Sequence, residues 1–262
     1  MRKVLLFILL CSINVVNAQT FDDYKEAAEQ GDANAQAILG AMYLDGNGVK
    51  RDYSESIKWF GMSADQDNPI GLWGMGIIYF RGYGMPQNQE KAFGLFKKSA
   101  EQGFAAAQSD LAACYENGKG VALDYIEAAR WYKLAAEQGH SGAQLQLGIC
   151  YKQGRGVQRD YIEAAKWYRM AAEQGNAMAQ SNLGMCYYNG QGVPQDYSEA
   201  LKWYLKAADQ GNALAQNNIG VCYEYGHGVK KDKQEAIKWY KLSAKNGFEG
   251  AQNTLRKLNV TW

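Results

Sequence analysis

Apolar and polar positions along this chain keep the spacing of a helix, and the whole pattern returns at a fixed step. After Asp32, the residues Ala35, Leu39, Met42 and Tyr43 fall at i, i+4, i+7 and i+8 and form one stripe of a helix, here helix A. Gly46 and Gly48 end it, because glycine accepts the positive φ that a helix C-terminus and a tight turn require. Asp52 then opens a second helix, B, with Tyr53, Ile57, Phe60 and Ala64 on its apolar stripe. Glu55 stands three residues after Asp52, and the same pair recurs at Asp124/Glu127, Asp160/Glu163, Asp196/Glu199 and Asp232/Glu235. The spacing predicts a capping box, the Asp accepting from helix N–H groups and the Glu reaching back to the cap residue.

The step is 36 residues: it separates Trp131, Trp167, Trp203 and Trp239, and it carries Tyr43 to Tyr79, Tyr115, Tyr151, Tyr187 and Tyr223. Six units follow without insertion, at 32–67, 68–103, 104–139, 140–175, 176–211 and 212–247. Gly31, Gly103, Gly139, Gly175, Gly211 and Gly247 stop successive B helices. Residues 21–31 read as a lone B helix and 248–258 as the start of an A helix, two half-repeat caps. Short amphipathic helices in pairs bury their apolar faces only against neighbouring pairs, so the predicted fold is an all-α solenoid.

The run Ala-x-x-x-x-Leu-Gly-x-x-Tyr, then Gly-x-Gly-Val-x-x-Asp-Tyr-x-Glu-Ala, then Trp-Tyr-x-x-Ala-Ala, clearest over Ala179–Gly211, resembles the Sel-one-like repeat of the tetratricopeptide-like solenoids. The resemblance implies a right-handed α/α superhelix used for protein–protein interaction, often in exported bacterial proteins. Its motif residues are structural ones, so it brings no catalytic residue to this chain.

Residues 1–18 read as a signal peptide. Arg2 and Lys3 precede an apolar run from Val4 to Val16, and Val16 and Ala18 place cleavage before Gln19. The run is too short to cross a bilayer, which needs about 20 residues, so the expected mature protein is residues 19–262, exported and without a membrane span. A lipoprotein acylated at Cys11 is the weaker alternative, because Leu10 stands where a small residue is wanted. The full chain has 28 Lys and Arg against 27 Asp and Glu. Loss of Arg2 and Lys3 would leave a net charge near zero, without the electrostatic footprint of a nucleic-acid binder.

Candidate chemistry is sparse. Cys114, Cys150, Cys186 and Cys222 occupy one position of successive A helices. Helix axes lie roughly 8–10 Å apart and a disulfide wants Cα atoms within about 7 Å, so these read as small buried thiols and no disulfide is expected. His140, at a helix A start, and His227, between two turn glycines, are expected to be exposed. No metal-ligand spacing, nucleophile elbow, Walker loop or Ser-x-x-Lys occurs, so no metal, cofactor or catalytic residue is assigned. The recurrent Trp-Tyr pairs on helix B and the glutamines at 36, 108, 144, 180, 216 and 252 read as scaffold, the glutamines bonding backbone between repeats.

In a repeat array, the positions that vary are free to recognise a partner. On helix A these are 37, 38, 41, 44 and 45 and their equivalents, which the resemblance places on the concave groove. The groove begins with Ala37, Ile38 and Leu44 and passes through Trp73, Phe80 and Arg81, with Tyr83 in the following turn. Asp110, Glu116, Gln146, Lys152, Asn182, Tyr188, Asn218, Glu224 and Tyr225 continue it. Its early part suits an apolar anchor and its later amides suit hydrogen bonds to an extended chain. Unit 68–103 is irregular, with Leu95 for tryptophan and Leu72 for glutamine, and Trp73, Phe80 and Tyr83 there form a candidate hot spot. The expected function is a monomeric, non-enzymatic, exported scaffold for a protein partner. An immunity or inhibitor protein against an exported toxin or hydrolase is the alternative, and a β-lactam or cell-wall hydrolase the third reading.

Overall fold

The computed structural model describes residues 20–262, so the expected signal peptide and Cys11 lie outside the described residues. Among these residues there are fourteen α-helices and no strand. The chain divides into two compact units at Gln138/Gly139. The first holds α1 (Phe21–Glu29), α2 (Ala33–Asp45), α3 (Tyr53–Asp65), α4 (Pro69–Arg81), α5 (Gln89–Glu101), α6 (Ala105–Asn117) and α7 (Tyr125–Glu137). The second holds α8 (Ser141–Gln153), α9 (Tyr161–Glu173), α10 (Ala177–Asn189), α11 (Tyr197–Asp209), α12 (Ala213–Tyr225), α13 (Lys233–Lys245) and α14 (Glu249–Lys257). Each is a stack of A/B helix pairs, and the fold class is the all-α repeat solenoid that the periodicity predicts.

Local chemistry explains the boundaries. Asp32, Asn68, His140, Asn176 and Asn212 cap A helices through side-chain acceptors, and Gly46, Gly82, Gly118, Gly154, Gly190 and Gly226 end them in the left-handed region. The B-helix caps act as expected from the Asp side, with Asp52, Asp124, Asp160, Asp196 and Asp232 accepting from backbone N–H groups of the first turn. The Glu side is corrected. Glu55, Glu127, Glu163, Glu199 and Glu235 turn along the helix to a Lys or Arg three residues on, as in Glu199–Lys202 at 2.9 Å. These are exposed pairs of opposite charge one helical turn apart. The reciprocal box forms at α1 instead, between Thr20 and Asp23.

The glutamines bridge repeats as predicted. Gln36, Gln108, Gln180, Gln216 and Gln252 each donate to the carbonyl eight residues earlier, at 3.1–3.3 Å. The oxygens of Gln36, Gln108, Gln144, Gln180 and Gln216 then accept from the amide at the end of the following B helix, from Gln66 to Gln36 for example. Leu72 interrupts this ladder, and Gln102 donates instead to the Asp67 carbonyl. The four cysteines are buried free thiols, and burial pushes Cys114 up to about 12 and Cys186 and Cys222 up to about 11.

Candidate functional site

One contact decides what each A helix displays. Helix B sends an aromatic ring against a small residue of helix A, and at five of six repeats that residue is glycine. A Cβ added at Gly184 would lie 2.6 Å from the Tyr204 ring, and Gly40, Gly76, Gly148 and Gly220 stand equally close to Phe60, Phe96, Tyr168 and Tyr240. The ring then continues toward the A-helix residue four positions after the glycine. Tyr132 Oη donates to Glu116 at 2.9 Å and Tyr240 Oη to Glu224 at 2.6 Å.

In residues 139–262 this arrangement builds a pocket of about 200 Å³ lined by Met185, Tyr188, Asn189, Tyr204, Asn218 and Val221. Tyr204 is buried, and burial raises its phenol, with Cys222 and Tyr188 adding to the effect while the nearby Asn218 amide opposes it. Asn218 Nδ2 is sealed from solvent at the wall, where its amide pairs with the Tyr204 phenol. The Tyr188 ring is held from behind: its Oη shares a 2.7 Å hydrogen bond with His227 Nδ1, and Tyr197 packs edge-on against it at 5.0 Å. His227 in turn stacks on Tyr197 at 4.3 Å and lies 5.8 Å from Tyr225, which is 60% exposed. Gln195 ties the cluster to the turn, donating to the Tyr188 carbonyl and to Tyr197 Oη.

The remaining predicted residues spread along the same helix face. Lys152, Gln146 and Asn182 are half-buried on α8 and α10, and Glu224 is held by Tyr240. In residues 20–138, Arg81 is exposed and lies over the Phe80 ring, Phe80 packs on Phe96, and Tyr83 stacks on Tyr53 at 5.2 Å. Trp73 departs from expectation. It is 3% exposed, its indole N–H donates to Asp110 at 2.7 Å and Phe104 packs against its ring, so it serves internal packing. Burial pushes the Asp110 carboxyl up to about 6, partly offset by the Trp73 bond and by Arg81. Ala37, Ile38 and Leu44 are buried too, because α2 packs directly on α4 as well as on its own partner α3.

Both histidine expectations need correction. His140 is half-buried and uses Nδ1 to cap α8 from the Ala143 N–H, and His227 is the buttress of Tyr188. The role of His227 had a detectable sequence mark. It stands in the same turn register as Tyr83, and Tyr197 stands in the register of Tyr53, so the Tyr53–Tyr83 and Tyr197–His227 stacks are one contact in two repeats.

Comparison with known proteins agrees with this architecture. Residues 33–68, 69–104, 105–140, 141–176, 177–212 and 213–248 each match the Sel1 repeat model. The chain is similar to c5321, a protective antigen present in uropathogenic Escherichia coli strains and displaying an SLR fold, at 36% identity and a TM-score of 0.80. That match covers 90% of this chain and 50% of the other. A Sel1 repeat protein from Oxalobacter formigenes is 30% identical with a TM-score of 0.73, over 85% of this chain and 92% of that one. A sel1-like repeat-containing protein of Acanthamoeba polyphaga mimivirus is 45% identical over 51 residues, 20% of this chain and 9% of the viral protein. The chain therefore spans half of the E. coli protein and a small part of the viral one. With six consecutive matches across the helix pairs described above, the chain belongs to the Sel1 repeat family.

Proposed function

We propose that this protein is an exported, monomeric, non-enzymatic scaffold that holds a protein partner on the A-helix face of residues 139–262. The repeat is a protein-interaction fold, and the reading beyond that rests on the site described above. The observation that carries it is the Tyr188 cluster: an exposed aromatic, Tyr225, beside a half-buried aromatic, Tyr188, held rigid by His227 and Tyr197. Aromatic side chains fixed before binding lose little entropy on association and dominate the energetics of interfaces. Export rests on the Arg2–Ala18 segment. Among the described residues no helix is long and apolar enough to cross a membrane.

The test is capture of the partner from the native compartment, comparing the wild-type chain with Tyr188→Ala/Tyr225→Ala at matched helicity by circular dichroism. The double variant should lose the partner by at least about tenfold, as expected when two hot-spot residues go. Undiminished capture by the folded variant would refute the assigned face.

A further inference from the structure

The first and last helices are finished differently. On α1 the exposed residues include Asp22, Asp23, Glu26 and Glu29, and no large apolar side chain stands exposed. Around α14 the sign reverses. From Lys230 to Lys257 there are eight Lys and Arg against three Asp and Glu, a net charge of +5. Lys233 stands in the register of Tyr53 and Tyr197, and Arg256 in that of Gly184 and Gly220. Where earlier repeats keep a ring or a glycine for packing on a neighbour, the last half-repeat carries cations. Lys230, Lys231, Lys233, Arg256 and Lys257 are all exposed. Among the described residues none of the five is in an ion pair, unlike Lys58, Lys166, Lys202 and Lys238. Leu258, 46% exposed, shares a shallow depression with Lys233, and Trp262, 40% exposed, has the Arg256 guanidinium 5.7 Å over its ring.

We infer that the α14 end is a peripheral docking surface for a bilayer of anionic phospholipid. Its cations meet the headgroup phosphates, and Leu258 and Trp262 enter the headgroup boundary. Solubility asks only for a polar outer face on a terminal repeat, and α1 has one. It does not call for a single sign of charge around two large apolar side chains, the combination that holds interfacial proteins on anionic lipid. Tryptophan suits that depth because its ring is apolar and its N–H is not. A protein partner would be anchored by a side chain in a pocket. The depression beside Leu258 holds only about 100 Å³, below the ~150 Å³ of a cavity that takes up benzene. A bilayer requires no pocket, since protruding side chains enter it. The attachment is superficial, because among the described residues no helix is long and apolar enough to cross. The inference goes beyond the scaffold reading and does not rest on it.

The test mixes the expected mature chain, residues 19–262, with sedimentable vesicles of phosphatidylcholine alone or with about one-third phosphatidylglycerol. The anionic vesicles should retain the protein at least about tenfold better than the neutral ones, and added salt should release it. Arg256→Gln/Lys257→Gln should weaken retention by about tenfold or more, a lysine or arginine near an anionic surface being worth about fivefold. Lys50→Gln/Arg51→Gln, an exposed pair in the first unit, should change it by less than about twofold. Lipid brominated along its chains should quench Trp262, the one exposed tryptophan among the described residues, and Trp262→Phe should lose that quenching. All these substitutions lie at exposed positions, and unchanged circular dichroism verifies folding. Equal retention by the two vesicle types, undiminished binding of Arg256→Gln/Lys257→Gln, or no quenching in the wild type would each overturn the assignment. So would preference for duplex DNA over anionic vesicles in competition. Tyr188→Ala/Tyr225→Ala should bind the vesicles as the wild type does, so failure of the partner face and failure of the lipid surface are read separately.

Discussion

The buried helix-B ring is phenylalanine in repeats one and two and tyrosine in repeats four to six, and the A-helix residue beyond it differs with it. Where helix B carries Phe60 or Phe96, the A-helix position beyond the contact is Leu44 or Phe80. Where it carries Tyr168, Tyr204 or Tyr240, that position is Lys152, Tyr188 or Glu224. The third repeat, with Tyr132 and Glu116, already follows the tyrosine rule. A ring lodged against helix A brings its para position toward the residue four positions on, which takes the hydroxyl's hydrogen bond at Glu116 and Glu224 and leaves it unpaired at Tyr168. Phenylalanine allows an apolar face, as at Phe80 with Arg81 lying over its ring.

The contrast breaks most visibly if the ring itself is removed. Tyr204→Ala should destabilise the protein by about 3–5 kcal/mol in urea unfolding, and Phe96→Ala by a similar amount, because ring volume rather than the hydroxyl joins the two helices. A loss well below that for Tyr204→Ala would mean that the ring-on-glycine contact is not what binds helix A to helix B.

Acidity separates the two units next. The Asp110 carboxyl is raised from 3.8 to about 6 in the folded protein, so between those values the native state holds a proton that the unfolded chain has released. Stability from this group therefore falls as pH rises from 3.8 to about 6, and Asp110→Asn should flatten that part of a melting-temperature profile. His140 acts in the opposite direction. Burial lowers its pKa below 6.5, and its cap on α8 needs the neutral ring. Its stabilisation is complete above pH 6.5 and is lost as pH falls through the lowered value. His140→Asn, matching Asn176 and Asn212, should keep the cap and remove the dependence.

The smallest effect is the most diagnostic, because its sign differs between two tyrosines in the same register. Tyr168 Oη is buried without a partner, so Tyr168→Phe should be neutral or stabilising by up to about 1 kcal/mol. Tyr240 Oη donates to Glu224, so Tyr240→Phe should cost about 1 kcal/mol. Thermal unfolding of the two variants side by side measures both. A loss at Tyr168 as large as that at Tyr240 would refute the rule that the buried hydroxyl needs company above it.

Much of this molecule was legible from one strand of text because its contacts are local or repeat at a fixed separation. Apolar stripes, Asp and Asn caps and turn glycines act within a few residues. The glutamine bridges span eight residues, and the step of 36 brings the same partners together each time. That suffices for the helices, their ends, the buried thiols and the repeat fold. The proposed recognition face was legible only as a set of varying positions. Trp73 meets Asp110 across 37 residues and Tyr188 meets His227 across 39, both pairings between unlike positions of neighbouring repeats. Periodicity says that such positions vary, but not which of them meet. Only the packed structure decided that Trp73 turns inward and that His227 braces Tyr188. Those outcomes depend on the size and hydrogen-bonding capacity of two particular side chains once the helices are in contact.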